Sequence, residues 1–81
     1  MAPQAVIQGT VTQAGRPMGG AYVRLLSGGR LAAEVPTSKT GTFRFFAAPG
    51  DWTLRTLAPG ATVDRAVAVE PDQVSEIHVA I

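Results

Sequence analysis

Gly41-Thr42-Phe43-Arg44-Phe45 and Pro49-Gly50-Asp51-Trp52-Thr53-Leu54 decide how this 81-residue chain is read. In both stretches a glycine turn is followed by bulky apolar side chains at every second position, the period of a strand with one buried and one wet face. The same alternation runs outward in both directions. Upstream, Ala5 to Thr12 carries Val6, Ile7 and Val11 and stops at the turn formers Gln13-Ala14-Gly15-Arg16-Pro17. Ala21 to Leu26 then places Ala21, Val23 and Leu25 on one face and Tyr22, Arg24 and Leu26 on the other. Gly28-Gly29 reads as a two-residue hairpin turn, since glycine accepts the positive φ such turns require. Leu31 to Pro36 follows, with Leu31, Ala33 and Val35 in step and Pro36 ending the strand or marking a sheet edge.

Downstream, Thr42 to Phe46 holds Phe43 and Phe45 inward and Arg44 and Phe46 outward. Asp51 to Ala58 sets Trp52, Leu54 and Thr56 against Thr53, Arg55 and Leu57. Thr62 to Val69 and Val74 to Ile81 complete the set, with Val67, Val69, Ile77, Val79 and Ile81 inward. Short strands at a spacing of roughly eight to twelve residues, with no helical period, predict an all-β fold: a seven-stranded antiparallel Greek-key β-sandwich occupying 1–81 as a single domain. Trp52 is expected to anchor the core, and Gly9 to admit the close approach of a bulky ring, Trp52 or Phe43.

Composition narrows the function. There is no cysteine, hence no disulfide framework, thiolate metal site or cysteine nucleophile. Seven Lys plus Arg against six Asp plus Glu give a net charge of +1, too weak a field for nucleic-acid or membrane-surface binding. The amino terminus, Met1-Ala2-Pro3-Gln4-Ala5-Val6-Ile7-Gln8-Gly9, shows neither a basic leader region nor a long apolar run, so the expectation is a soluble, cytoplasmic protein. His78 is the single histidine and lies on the outward register of the last strand; without a second histidine it reads as a surface residue rather than a metal ligand or catalytic base. The threonine and serine hydroxyls have no neighbouring base to activate them, and Gly19-Gly20 and Gly28-Gly29 open no helix and precede no phosphate-binding lysine. The carboxylates Asp51, Asp64, Glu70, Asp72 and Glu76 are scattered, with Asp64 beside Arg65 expected to be solvated. The reading is therefore not an enzyme, with no cofactor and no metal.

Ile7-x-Gly9-x-Val11, Gly15-Arg16-Pro17, Gly20-Ala21-x-Val23-x-Leu25, Thr40-Gly41-x-Phe43-x-Phe45, Pro49-Gly50-x-Trp52-x-Leu54 and Ala58-Pro59-Gly60 follow one another in an order that resembles the carboxypeptidase regulatory-like domains of the transthyretin-like superfamily. The fuller strings Gly20 to Leu26 and Phe43 to Arg55 are similar to a narrower family of small stand-alone bacterial proteins often encoded beside thiosulfate sulfurtransferases. That resemblance implies a docking or accessory role in sulfur metabolism. Members carry a cysteine near the amino terminus that has no counterpart here, and without a thiol this chain forms no persulfide. The superfamily's purine-pathway hydrolase relies on several histidines and a tyrosine-rich carboxy-terminal motif, both absent from this sequence.

What remains for function is the outward register. The resemblance places the strands bearing Tyr22 to Leu26 and Thr53 to Leu57 side by side, gathering Tyr22, Arg24, Leu26, Arg55 and Leu57 into one patch whose apolar and arginine content is that of an interface. The expected function is a non-enzymatic protein-interaction module that docks on a partner protein, a sulfurtransferase being the implied one, or on itself as a homo-oligomer. Arg24 and Arg55 would then face acidic groups across the interface. The alternative is a small-anion or small-molecule binding protein in which Arg24, Arg44 or Arg55 with Tyr22 receives an oxyanion; it requires convergent donors in a hollow rather than a flat patch.

Overall fold

The computed structural model describes residues 5–81; Met1 to Gln4, part of the stretch read for a leader, lie outside them. Eight strands follow in order: β1 (Ala5–Gln13), β2 (Arg16–Pro17), β3 (Tyr22–Ser27), β4 (Arg30–Pro36), β5 (Thr42–Ala47), β6 (Gly50–Ala58), β7 (Ala61–Val69) and β8 (Val74–Ala80). Seven match the expected strands to within about a residue or two at each end. The additional β2 is the two-residue stretch Arg16–Pro17, which folds back on Thr12 and Gln13 across the turn at Ala14-Gly15.

The strands form two sheets. In one, β1 lies between β5 and β8, with β2 beside its far end; in the other the order is β4-β3-β6-β7. All pairings are antiparallel except one: β1 and β8 run parallel from Val6↔Val74 to Thr12↔Ala80. The expectation of a wholly antiparallel sandwich is corrected at that pair. The chain makes several crossings between the sheets before β8 returns to β1, and alternation within a strand carries no information about the direction of its neighbour.

The inward residues of both sheets meet in one cluster, with Ile7, Val11, Val23, Leu25, Phe43, Phe45, Leu54, Val67, Val69 and Val79 all buried. Val23, Leu25, Phe43, Phe45 and Leu54 are the alternating residues of the deciding stretches and their neighbour β3, so burial of their apolar surface drives both sheets together. Trp52 does not anchor the centre. It is half-buried at the rim of the cluster, where its Nε1 donates to the Ala48 carbonyl at 2.8 Å across the turn into β6. Gly9 does admit a close approach, though of backbone rather than a ring: a Cβ there would lie 1.7 Å from the Ile77 carbonyl oxygen of β8.

The turn at Gly28-Gly29 has both residues at positive φ, 57° and 82°, and joins Ser27 to Arg30 as a two-residue hairpin loop. Between Leu25 and Leu26 the β3–β4 register shifts, pairing Leu25 with Ala33 but Leu26 with Leu31. This bulge at Ala32 moves Leu31 out of step with Ala33 and Val35. Leu31 is 58% exposed, so the expectation that it keeps step with Ala33 and Val35 is also corrected.

Candidate interaction surface

β3 and β6 are neighbours, and their register sets Tyr22 opposite Leu57, Arg24 opposite Arg55 and Leu26 opposite Thr53. Directly opposite residues share a face, so the outer surface of the β4-β3-β6-β7 sheet brings together the five residues singled out from the sequence. Their environments differ. Tyr22 is 50% exposed; Leu57, Arg24 and Arg55 are half-buried; Leu26 is buried at 7%. The expectation that Leu26 is presented to a partner is corrected: it keeps its outward register but sits between Leu31 on β4 and Thr53 on β6, and the bulge is what brings Leu31 alongside it.

The two arginines form the centre of a four-strand row. Arg24 Nε donates to Glu34 Oε2 on β4. Arg55 donates from Nε to Asp64 Oδ1 at 2.9 Å and from Nη2 to Asp64 Oδ2 at 3.1 Å, a two-pronged bond to β7. Two like charges on adjacent strands are thus each flanked by an acid on the outer strand. The Arg55 hydrogen bonds hold the Asp64 carboxyl below the usual carboxylate range, and Arg55 is raised in return, first by the same hydrogen bonds and then by the opposite charge. Asp64 is therefore not simply solvated beside Arg65. Arg65 instead spans the open side of the sandwich, donating from Nη1 to the His78 carbonyl of β8 at 3.1 Å.

Arg44 lies on the other sheet and joins none of this. Its Nε and Nη2 both donate to Gln8 Oε1, at 3.0 and 2.9 Å, while Gln8 Nε2 donates to Glu76 Oε1 at 2.7 Å, a row across β5, β1 and β8. One step along the same outer face, Phe46 and Val74 flank Val6, and Phe46 is 65% exposed. His78 is at the surface as expected, with Nε2 and Thr12 Oγ1 sharing a 3.0 Å hydrogen bond. A groove of about 600 Å³ opens between the β4 and β5 edges, its lining including Val35, Pro36, Ser38, Thr42, Arg44 and Gln8; none of the five patch residues lines it. Among the described residues no three His, Cys, Asp or Glu side chains come together as a metal site, and no helix is long and apolar enough to cross a membrane.

Over residues 1–81 the chain matches the family described as protein of unknown function, DUF1416. Two uncharacterized proteins of Mycobacterium tuberculosis, Rv0814c and Rv3118, are each 46% identical to it over 80 residues, spanning 96% of this chain and 80% of theirs. An uncharacterized protein of Mycolicibacterium smegmatis is 44% identical, with 89% of its length covered. Among solved structures, the Bacillus anthracis TIE protein superposes with a TM-score of 0.84 at 14% identity; the match takes 96% of this chain but only 17% of that one. A DUF3823 family protein of Parabacteroides merdae superposes at 0.66 with 20% identity over 99% of this chain and 46% of its own. At these identities the structural matches speak for the β-sandwich fold alone.

Proposed function

This chain belongs to the DUF1416 family, and from the surface it presents we propose a non-catalytic interaction module that docks on a protein partner through the outer face of the β4-β3-β6-β7 sheet. The observation that carries the reading is the row Glu34–Arg24–Arg55–Asp64, which orders both guanidinium groups across the sheet beside the exposed Tyr22 and the Leu57 paired with it. Long side chains already held in one geometry lose less conformational freedom on docking. The charges in the row balance, so burying it costs less than burying unpaired arginines, and the aromatic and aliphatic groups at its end supply the contact area. Arg24 and Arg55 therefore act as an ordered platform, and Tyr22 and Leu57 as the anchors.

The same observation argues against small-anion capture. Arg24 and Arg55 are already bonded to carboxylates, Arg44 to an amide oxygen on the opposite sheet, and none of the three converges with another on a hollow. The family resemblance makes a thiosulfate sulfurtransferase the first partner to test. The experiment compares wild type with the Tyr22→Ala, Leu57→Ala double variant, using affinity capture from native lysate and titration calorimetry against the purified sulfurtransferase. The expected result is a stoichiometric partner bound by wild type and lost, by about a hundredfold or more in affinity, in a variant that melts as a folded domain. Equal binding by both proteins refutes docking at this face.

A further inference from the structure

β5 is the edge of its sheet, and its backbone groups fall into two sets. Val11 N–H donates to the Gly41 carbonyl, and the β1–β5 register continues from there through Gly9↔Phe43, Ile7↔Phe45 and Ala5↔Ala47. In an antiparallel ladder the residues between these, Thr42, Arg44 and Phe46, turn their N–H and C=O away from β1. Thr42 is satisfied within the chain: its carbonyl accepts from Ser38 N–H at 3.0 Å and its N–H donates to Ser38 Oγ at 3.1 Å. At the other end the Ala48 carbonyl accepts from Trp52 Nε1. The N–H and C=O of Arg44 and Phe46 are left, four groups without a partner among the described residues. Both side chains of this window are exposed, Arg44 at the rim of the groove beside β4 and Phe46 outside it.

From this window we infer that β5 is a self-association edge: two copies pair antiparallel about a two-fold axis at Phe45, Arg44 of each chain opposite Phe46 of the other. A pair of facing residues in such a ladder exchanges two hydrogen bonds, so Arg44 against Phe46, taken twice by symmetry, uses all four free groups of each copy. A neighbouring register does not close in this way. Centred on Arg44 it sets Arg44 against itself, a like-charge contact, and leaves Phe46 facing the Thr42 groups that Ser38 already holds. The side chains agree with the Phe45-centred register. Phe46, the most exposed of the large apolar residues described, comes to lie beside the exposed side chain of the second copy's Arg44, whose Nε and Nη2 bond Gln8 in its own chain. Two of the other edges are blunted: β4 carries the bulge and Pro36, and Arg65 occupies the His78 carbonyl on β8; the β7 edge is unbroken too, but its outward row carries no exposed aromatic to match Phe46. β5, between Thr42 and Ala47, carries neither a bulge nor a proline.

The test is sedimentation equilibrium of wild type, Phe46→Arg, and the double variant Phe46→Arg, Arg44→Glu, with melts to verify folding; both side chains are exposed and outside the core. Wild type is expected to form a concentration-dependent dimer. Phe46→Arg sets two arginines face to face at each pair and should raise its dissociation constant about tenfold or more, whereas the double variant faces glutamate with arginine and should return it to within about threefold of wild type. The amide protons of Arg44 and Phe46 should exchange more slowly as the dimer fills, and the Tyr22→Ala, Leu57→Ala variant should dimerise as wild type does. A wild type that stays monomeric to millimolar concentration overturns the inference, leaving an edge free for another protein's strand. So does a dimer indifferent to Phe46→Arg, or a double variant that is not rescued.

Discussion

The Thr56 hydroxyl is fully buried and has no hydrogen-bond partner among the described residues, the one such side-chain atom found there. It sits between Val23 and Val63 on the neighbouring strands, where a methyl group fits as well and carries no desolvation cost. Thr56→Val is expected to stabilise the domain by about 1 kcal/mol, read as a higher denaturant midpoint at unchanged slope; a lower midpoint would mean the hydroxyl has a partner. Asp64 supplies the test for the arginine row. Its folded pKa lies below its unfolded one, so the bond to Arg55 stabilises the fold above the unfolded value and this contribution fades as pH falls through the folded value. The two side chains keep 41% and 48% of their surface exposed, which makes the effect small. A carboxyl-detected NMR titration should show Asp64 titrating below the ordinary range of about 3.9, and Arg55→Ala should bring it back there. A midpoint that ignores Arg55→Ala would exclude the pairing in solution.

Within elements, the β3–β4 hairpin shows how far alternation reaches. Its two-residue turn pairs Ser27 with Arg30 and hence Leu26 with Leu31, but continued unbroken that register would set inward Val23 against Glu34. The glycine turn and the apolar alternation are compatible only if one residue is extra, and Ala32 is that residue. The conflict was legible in the sequence; its consequences, Leu31 turned outward, Leu26 covered and Arg24 placed opposite Glu34, follow from the bulge. The ends of the same hairpin are held by Thr37, buried, whose Oγ1 accepts from Ala21 N–H at 3.0 Å and donates to the Met18 carbonyl at 2.8 Å. Thr37→Val keeps the shape and strands both backbone groups, so a loss of about 1–3 kcal/mol is expected in chemical denaturation, with faster amide exchange at Ala21. An unchanged midpoint would show that water takes over both bonds.

At the scale of the whole molecule, the pairing of β1 with β8 joins the two ends of the described chain, and Val79 of β8 is fully buried in the common core. Closing that pair requires nearly the whole chain to be ordered first, and sheets dominated by such distant contacts fold slowly. Stopped-flow refolding followed by Trp52 fluorescence should take milliseconds to seconds; completion in microseconds would contradict a nucleus that waits for β8. The proposed docking face and the β5 edge belong to different sheets. A dimer through β5 would therefore leave two copies of the Tyr22–Leu57 face available to partners, and variants of either surface should act independently.

Seven of the strands, most of their inward residues and the glycine turns could be read from residue order alone, because alternation and positive-φ residues act over a few positions and are written where they act. Residue order also placed Tyr22, Arg24, Arg55 and Leu57 on an outward register, and once the sheet order was known they stood side by side. What those residues touch was set by the assembled sheets. The pairing of Arg24 with Glu34 and Arg55 with Asp64, the covering of Leu26, the half-exposure of Trp52 and the parallel return of β8 depend on which strands lie next to one another and in what register. Those are set by the packing of one sheet on the other, a property of the assembled core that no single strand encodes.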